Sequence, residues 1–423
     1  MARKMRDSGV EWIGEVPEGW EVNLIGTFYS QRSEKVSDRD YAPLSVTMKG
    51  VLPQLATVAK TDDGDNRKLV KKGDFAINSR SDRRGSCGLS EYDGSVSLIN
   101  TILMPRGEMD PRYYNWLFHT EAFADEFYKW GHGIVDDLWT TRWSEMKRIQ
   151  IVAPPLPEQR RIADYLDEKC AAIDGAVEEL KRDIEDCKAW KKAIITETTS
   201  VGLDDDVKLL QTEFGWISNR PSHWKRNQLS SLCRRGITYG IVKLGEPCEN
   251  GVKVLRCSDV KEGYLDVSNV RTVTPELSDE YKRTVLSGGE VIVNVRGTLG
   301  GCTIVPKEFS GANIAREVAL LDVEESKANP KFIMYTLLSY CFANYVGHEM
   351  AGAIYQGLNI ATLSKYSFYA PDIKEQQAIA DYLDEKCVAI DALVAEKEKL
   401  IADLEAYKKS LIFELVTGKR EVA

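Results

Sequence analysis

The sequence predicts an α+β protein built as two copies of one unit, each a globular domain followed by a long helix, with the two helices paired as an intramolecular coiled coil. Three observations carry this. The segment Glu158–Asp174 returns as Glu375–Asp391, and IADYLDEKC is the same in both copies, which chance does not produce. Each copy then continues as a proline-free run with apolar residues at alternating steps of three and four. The stretches before the two runs also repeat, more weakly. Trp12-Ile13 and Trp20 around Pro17 return as Trp216-Ile217 and Trp224 around Pro221. Gly73–Asn78 with Arg80 returns as Gly289–Asn294 with Arg296, and a Gly-x-Cys follows each, at Gly85–Cys87 and Gly300–Cys302.

In chain order the units divide into a first globular domain over residues 1–155, a first long helix over 156–202, a second domain over 203–372 and a second long helix over 373–418. Within the domains, Val252–Leu255, Val291–Val295 and Ala319–Val323 read as short strands, and Arg112–Tyr128 and Pro330–Tyr345 as helical stretches. Pro154-Pro155 and Pro371 mark the entries to the long helices. The first seam is Ala163, Leu166, Cys170, Ile173, Val177, Leu180, Ile184, Cys187 and Ile194, with Lys191 its polar exception. The second is Ala380, Leu383, Cys387, Ile390, Val394, Lys397, Ile401, Leu404, Lys408, Leu411 and Leu415. Strong helix formers dominate both, and Gly202 and Gly418 stand where each should stop. A helix of about 40 residues is roughly 60 Å long, and a lone one would expose its whole apolar stripe. The other copy is the simplest partner; the alternative is that each helix packs only on its own domain.

Composition narrows the class. The 43% hydrophobic and 29% charged content is that of an ordinary globular chain. No apolar run reaches signal-peptide or membrane-span length, so a cytoplasmic protein without a membrane role is expected. Nine scattered cysteines without a CxxC suggest neither zinc nor a disulfide framework. The formal charge of −9 sits awkwardly with nucleic-acid binding. Much of the excess, however, lies in the two helices, at about −3 in each of Glu158–Ser200 and Glu375–Arg420. The rest is near balance, with a local basic run at Arg80–Arg84.

A proline step, then Glu-Gln, then a helix carrying Ile and Leu (Pro155, Glu158-Gln159, Ile162, Leu166; Pro371, Glu375-Gln376, Ile379, Leu383) resembles the repeated conserved region of type I restriction-modification DNA specificity subunits. Gly236–Gly240, Leu255-Arg256 with Asp259, Asn294-x-Arg296-Gly297, Asn313 with Arg316, and Leu358-Asn359 resemble motifs of the family's target recognition domains. The resemblance covers essentially the whole chain. It implies two target recognition domains related by a pseudo-twofold, separated by two antiparallel helices. Each domain would read one half of a split site in double-stranded DNA. The paired helices would fix the spacing and dock two methyltransferase subunits, joined by two motor-nuclease restriction subunits. The partners would bring S-adenosylmethionine, ATP and Mg; this chain would bind no cofactor and no metal, and would have no catalytic residue. A split site demands twofold reading, which a sequence repeat supplies covalently.

The DNA-contact candidates follow from chemistry. Arginine pairs with guanine edges and Asn or Gln with adenine, while basic side chains hold phosphates. The first domain offers Arg80, Arg83 and Arg84 in the loop after Phe75–Asn78, with solvated structural arginines as the plainer reading. Arg296 follows the matching run in the second, where a buried salt bridge competes. Arg256 and Arg316 come next, with Asp259 and Glu317 close enough to pair with them. Trp139 and Arg142, and Tyr355, Gln356 and Asn359, precede the equivalent proline steps in polar-aromatic loops. Tyr239 lies between glycines. Glu158, Gln159, Glu375 and Gln376 are candidates for partner docking, with helix capping the alternative. The paired tryptophans at fixed spacing read as structural.

Two other functions compete. A coiled-coil scaffold without DNA would suit the negative charge. A nuclease would need a PD…DxK site, loosely matched by Pro371-Asp372 and Asp384-Glu385-Lys386, but those last residues sit inside the heptad helix and the other copy lacks the Pro-Asp. No GxxxxGK[ST] loop is present, nor an Asn-Pro-Pro-Tyr tetrapeptide. His119, His132, His223 and His348 lack metal-ligand spacing.

Overall fold

The computed structural model describes residues 3–54, 64–133, 139–297, 299–350 and 357–422. They form two compact units, residues 1–180 with 399–423, and 181–398. The division runs through both long helices.

The first unit is organised on a four-stranded antiparallel sheet in the order Cys87–Leu89, Phe75–Asn78, Asn100–Pro105, Tyr29–Arg32. Phe75–Asn78 is buried on both faces, which is why it reads as a continuous apolar run and not as an alternating one. Helices Pro111–Phe118 and Glu121–Lys129 add Tyr113, Tyr114, Phe118, Phe123 and Phe127 to the core beside Tyr29 and Phe75. The single helical stretch expected over Arg112–Tyr128 is thus two helices. Thr120 breaks it by accepting the Phe123 amide at 3.2 Å as an N-cap. A three-stranded antiparallel sheet (Gly94–Val96, Arg67–Val70, Lys35–Val36) and a hairpin (Leu44–Thr47, Gly50–Pro53) complete this head.

The second unit repeats the main sheet in the same order: Cys302–Ile304, Val291–Asn294, Val318–Leu321, Thr238–Tyr239. Helices Pro330–Leu338 and Tyr340–Met350 take the place of the first pair, and the break again falls at a hydroxyl cap, Ser339 accepting from the Phe342 amide. Pro111 and Pro330 both stand at the first helical turn behind Asp110 and Asn329 caps. The smaller sheet differs. Val252–Leu255 pairs antiparallel with Arg271–Val273 but parallel with Asn313–Ile314. The two heads therefore share a frame and diverge at its margin.

The long helices run Leu156–Val201 and Ile373–Val416, and the glycines that follow, Gly202 and Gly418, take left-handed φ of 85° and 74°. Within each unit the two helix portions lie antiparallel and touch. In the first, Lys408 meets Asp174 at 2.6 Å, and Leu411, Leu415 and Val416 share a core with Ile162, Leu166 and Cys170. In the second, Lys191 meets Asp391 at 2.7 Å and Lys397 meets Asp183 at 2.6 Å, and Ile195 shares a core with Ile379, Leu383 and Cys387. Pairing with the other copy, and not only with the helix's own domain, is what the geometry shows. The seam differs from the expected one at its end, where Ile195 and not Ile194 is the buried residue. An ideal helix drifts about 20° per heptad from a strict seven-residue repeat, and here the second head's core takes over from the seam.

Candidate nucleic-acid interface

The best candidate surface is the end of each main sheet where the equivalent strands run out. In the first unit, Phe75–Asn78 continues into Ser79-Arg80, a short 3-10 turn at Ser81–Arg83, and Gly85 with φ 75°, before returning as Cys87–Leu89. The Arg80 amide donates to the Asn78 side-chain oxygen at 3.1 Å. Across from it lies the loop that precedes the short helix Trp143–Met146. The Thr141 amide donates to Ser79 O at 2.9 Å, the Ser81 amide to Trp139 O at 3.0 Å, and Arg80 faces Thr140 in an isolated antiparallel bridge. The structure thus brings Arg80, Arg83, Trp139 and Arg142 together.

The second unit builds the same junction from different residues. Val291–Asn294 continues into Val295-Arg296-Gly297, the Leu358 amide donates to Val295 O at 2.8 Å, and Arg296 faces Gly357 in the equivalent bridge. More of the candidates converge here. The Val295 amide donates to Glu317 O, the Arg316 amide to Ile241 O, and the Ala315 amide to Leu255 O. The segments bearing Tyr239, Arg256, Arg296 and Arg316 are therefore hydrogen-bonded neighbours. Gly240 is required in this cluster, because a Cβ there would lie 1.8 Å from Ile314 O.

The charged groups separate into free and committed. Arg80, Arg142, Arg296 and Arg316 are exposed and, among the described residues, have no carboxylate within ion-pair range. The buried salt bridge weighed for Arg296 is thus not found there. Among the described residues, Arg83 has only Asp82 in ion-pair range, at 3.9 Å. Arg84 instead turns to Asp125 on the neighbouring helix. Arg256 is held by Asp259 through two bonds of 3.0 and 3.2 Å and donates to Asn269 O, so the local pair takes this guanidinium out of the free set. Asn359 caps helix Ile360–Lys365, its side-chain oxygen accepting from the Thr362 amide at 2.7 Å. Tyr239 is 42% exposed on an edge strand. Tyr355 and Gln356 lie outside the described residues. Thr140 and Gly357, which face the two arginines, escaped sequence reasoning because two unlike residue types at equivalent positions leave no repeat to notice.

The Glu-Gln pairs are engaged within the chain. Their side chains are turned into the chain's own structure, where they fasten each head to its helix in the same way. Trp20 Nε1 donates to Glu158 at 2.9 Å, and Trp224 Nε1 to Glu375 at 3.0 Å. Arg3 adds a salt bridge to Glu158, and His223 a contact to Glu375. Gln159 and Gln376 are both 3% exposed. Each donates to the carbonyl of the preceding proline step, Pro154 or Pro371, at 2.8 and 3.0 Å. Each accepts the backbone amide of a helix-capping residue, Asp110 or Asn329, at 2.9 Å. This also explains why Trp20 and Trp224 recur. Asp167 and Asp384 repeat the theme, accepting from Trp116 Nε1 at 2.8 Å and from the Tyr335 hydroxyl at 2.7 Å. Asp384, the residue nearest to a nuclease pattern, is thus a head-to-helix fastener that also pairs with Lys331.

Comparison with known proteins agrees with this architecture. Residues 221–404 match the family model for the type I restriction modification DNA specificity domain. The chain is 24% identical over 272 residues to the type I restriction enzyme EcoBI specificity subunit of Escherichia coli, covering 63% of this chain and 57% of that one. It is 25% identical over 426 residues to the MjaVIII specificity subunit of Methanocaldococcus jannaschii, covering 96% and 94%. Among solved structures, a chain from work on complex assembly and conformational transition of the type I R-M system superposes with a TM-score of 0.72 at 15% identity, over 96% of this chain and 99% of that one. The HsdS subunit from Thermoanaerobacter tengcongensis gives 0.52 at 16% identity, over 96% and 98%. Shared α+β architecture, a matched domain and an alignment along nearly the full length converge: residues 221–404 match the type I restriction modification DNA specificity domain, and the chain as a whole is similar to type I restriction enzyme specificity subunits.

Proposed function

We propose that this chain is the sequence-reading subunit of a type I restriction-modification complex, recognising a two-part target in double-stranded DNA with one head per half. The observation that carries the reading is the junction made twice. An exposed arginine without a carboxylate partner among the described residues stands at the end of the same strand in both heads, Arg80 and Arg296. Leaving an arginine unpaired beside neutral backbone suits a guanine edge or a phosphate. In this reading the chain performs no catalysis. Two methyltransferase subunits bound to it supply S-adenosylmethionine chemistry, and two restriction subunits supply ATP- and Mg-dependent work. The net charge of −9 predicts weak DNA binding by the chain alone, with the partners completing the basic surface.

The test is reconstitution with a type I methyltransferase subunit and mapping of methylated adenines. A two-part motif is expected, with Arg80→Ala relaxing one half and Arg296→Ala the other. Methylation without preference for any two-part motif would overturn the reading. The scaffold alternative, favoured only by the acidic charge, predicts that both arginine variants leave target choice unchanged.

A further inference from the structure

The two heads present their exposed arginines on the same frame, yet the residue directly opposite differs: Thr140 faces Arg80, and Gly357 faces Arg296. The backbone bond beside each bridge is the same, Thr141 N to Ser79 O at 2.9 Å and Leu358 N to Val295 O at 2.8 Å. The strands are therefore held at equal spacing, and the opposing side chain is the variable. At Gly357 the stem of Arg296 lies against the missing side chain. A Cβ there would come within 3.2 Å of Arg296 Cγ and 3.9 Å of its Cδ, with Val295 O next at 3.6 Å. What must yield is the arginine, a flexible chain pivoting near its root, and a few tenths of an ångström at Cγ swings the guanidinium further at its tip. The first head already has a Cβ and a hydroxyl at this position.

We infer that the residue opposite the arginine, Thr140 in one head and Gly357 in the other, is a specificity-determining position that aims the guanidinium and so helps to set which base each head reads. Resting on the DNA-reading function proposed above, it adds a positioning residue that itself touches no base. A bidentate arginine contact is intolerant of misdirection because both N–H groups must meet one base edge.

The experiment uses the full chain with its methyltransferase partner and a randomised duplex pool, comparing wild type with Gly357→Thr, Gly357→Ala, Thr140→Gly and Arg296→Ala. Gly357→Thr is expected to weaken binding of the wild-type target about five- to fiftyfold and to change the selected base at one position of one half-site. The other half should be unchanged, and the melting temperature should stay at the wild-type value. Thr140→Gly should do the same for the opposite half, and the alanine variant guards against a threonine that fails to fold. Wild-type selection by both Gly357 variants while Arg296→Ala loses it would overturn this inference alone. Unaltered selection by Arg296→Ala would overturn it together with the role of Arg296. A wild-type complex that selects no motif would sink the DNA-reading proposal itself.

Discussion

The residues that repay attention are those that recur for a reason the fold makes visible. Gln159 and Gln376 each satisfy a buried carbonyl and a buried amide at the point where head joins helix. Truncating either to alanine strands both groups away from water, at about 1–3 kcal/mol for each unsatisfied group. Gln376→Ala should therefore destabilise its unit by about 2–4 kcal/mol in urea titration, whereas Gln377→Ala, on the exposed side, should change it by less than about 0.5 kcal/mol. The cysteines of the repeated Gly-x-Cys make a second case. Cys87 and Cys302 are fully buried, and burial pushes the Cys87 thiol up from 9.0 to about 12 and Cys302 upward as well. A thiol whose folded value is raised stabilises the fold fully below its unfolded value. That contribution is lost as pH climbs from about 9 towards 12. Native alkylation at pH 8, followed by mass spectrometry, should modify the partly exposed Cys248 and Cys257 and leave Cys87 and Cys302 unmodified.

At the scale of elements, the paired helices combine an apolar seam with lysines placed inside it. Lys191–Asp391 and Lys408–Asp174 occupy equivalent positions of the repeat, whereas Lys397–Asp183 has Leu180 and Leu400 at the matching places. Asp183 accordingly holds the Lys397 ammonium above its ordinary range. Lysine at a seam position selects register at some loss of stability, while its stem still covers apolar surface. A double-mutant cycle on Asp174 and Lys408 should return a coupling of about 0.5 kcal/mol, since the aspartate is 62% exposed. Lys408→Leu should raise the melting temperature of the first unit; a lower one would mean that the pair contributes more than its exposure allows. The seam itself was legible because a step of three and four survives any choice of partner. What the sequence hid was the shift from Ile194 to Ile195 and the breaks at Thr120 and Ser339. A hydroxyl within an apolar stretch looks tolerable in a helix until its side chain is seen to cap the next one.

At the scale of the molecule, each compact unit draws on distant parts of the chain. The first is closed by residues 399–423, which bring Leu411, Leu415 and Val416 into its core and place the Val416 carbonyl to accept from the Tyr113 hydroxyl at 2.7 Å. Three such side chains represent about 5–8 kcal/mol of burial, as much as an entire domain commonly has in reserve. A fragment of residues 1–202 should therefore lack a cooperative thermal transition by circular dichroism and regain one when the 399–423 peptide is added. A sharp transition in the fragment alone would show that the head is self-sufficient. The repeat and the length of the helices could be read from sequence because they are periodic. The closing of one unit by the far end of the chain could not, and neither could the assembly of Tyr239, Arg256, Arg296 and Arg316 at one edge. Those groupings come from strand pairing between segments with no shared pattern. Arg256 shows the limit well: the motif that drew notice to it also contains Asp259, the residue that takes its guanidinium away from solvent.

The twin fastening of head to helix carries a consequence for how such a chain can change. A tryptophan indole meets a glutamate, a glutamine bridges a proline carbonyl and a capping amide, and an aromatic donor meets an aspartate, all of them twice over. Sockets of one pattern accept plugs of one pattern. A head transplanted from one position to the other would find these three complementary groups waiting, whatever its reading loops had become, and novelty in those loops could be inherited without redesigning the frame that bears them.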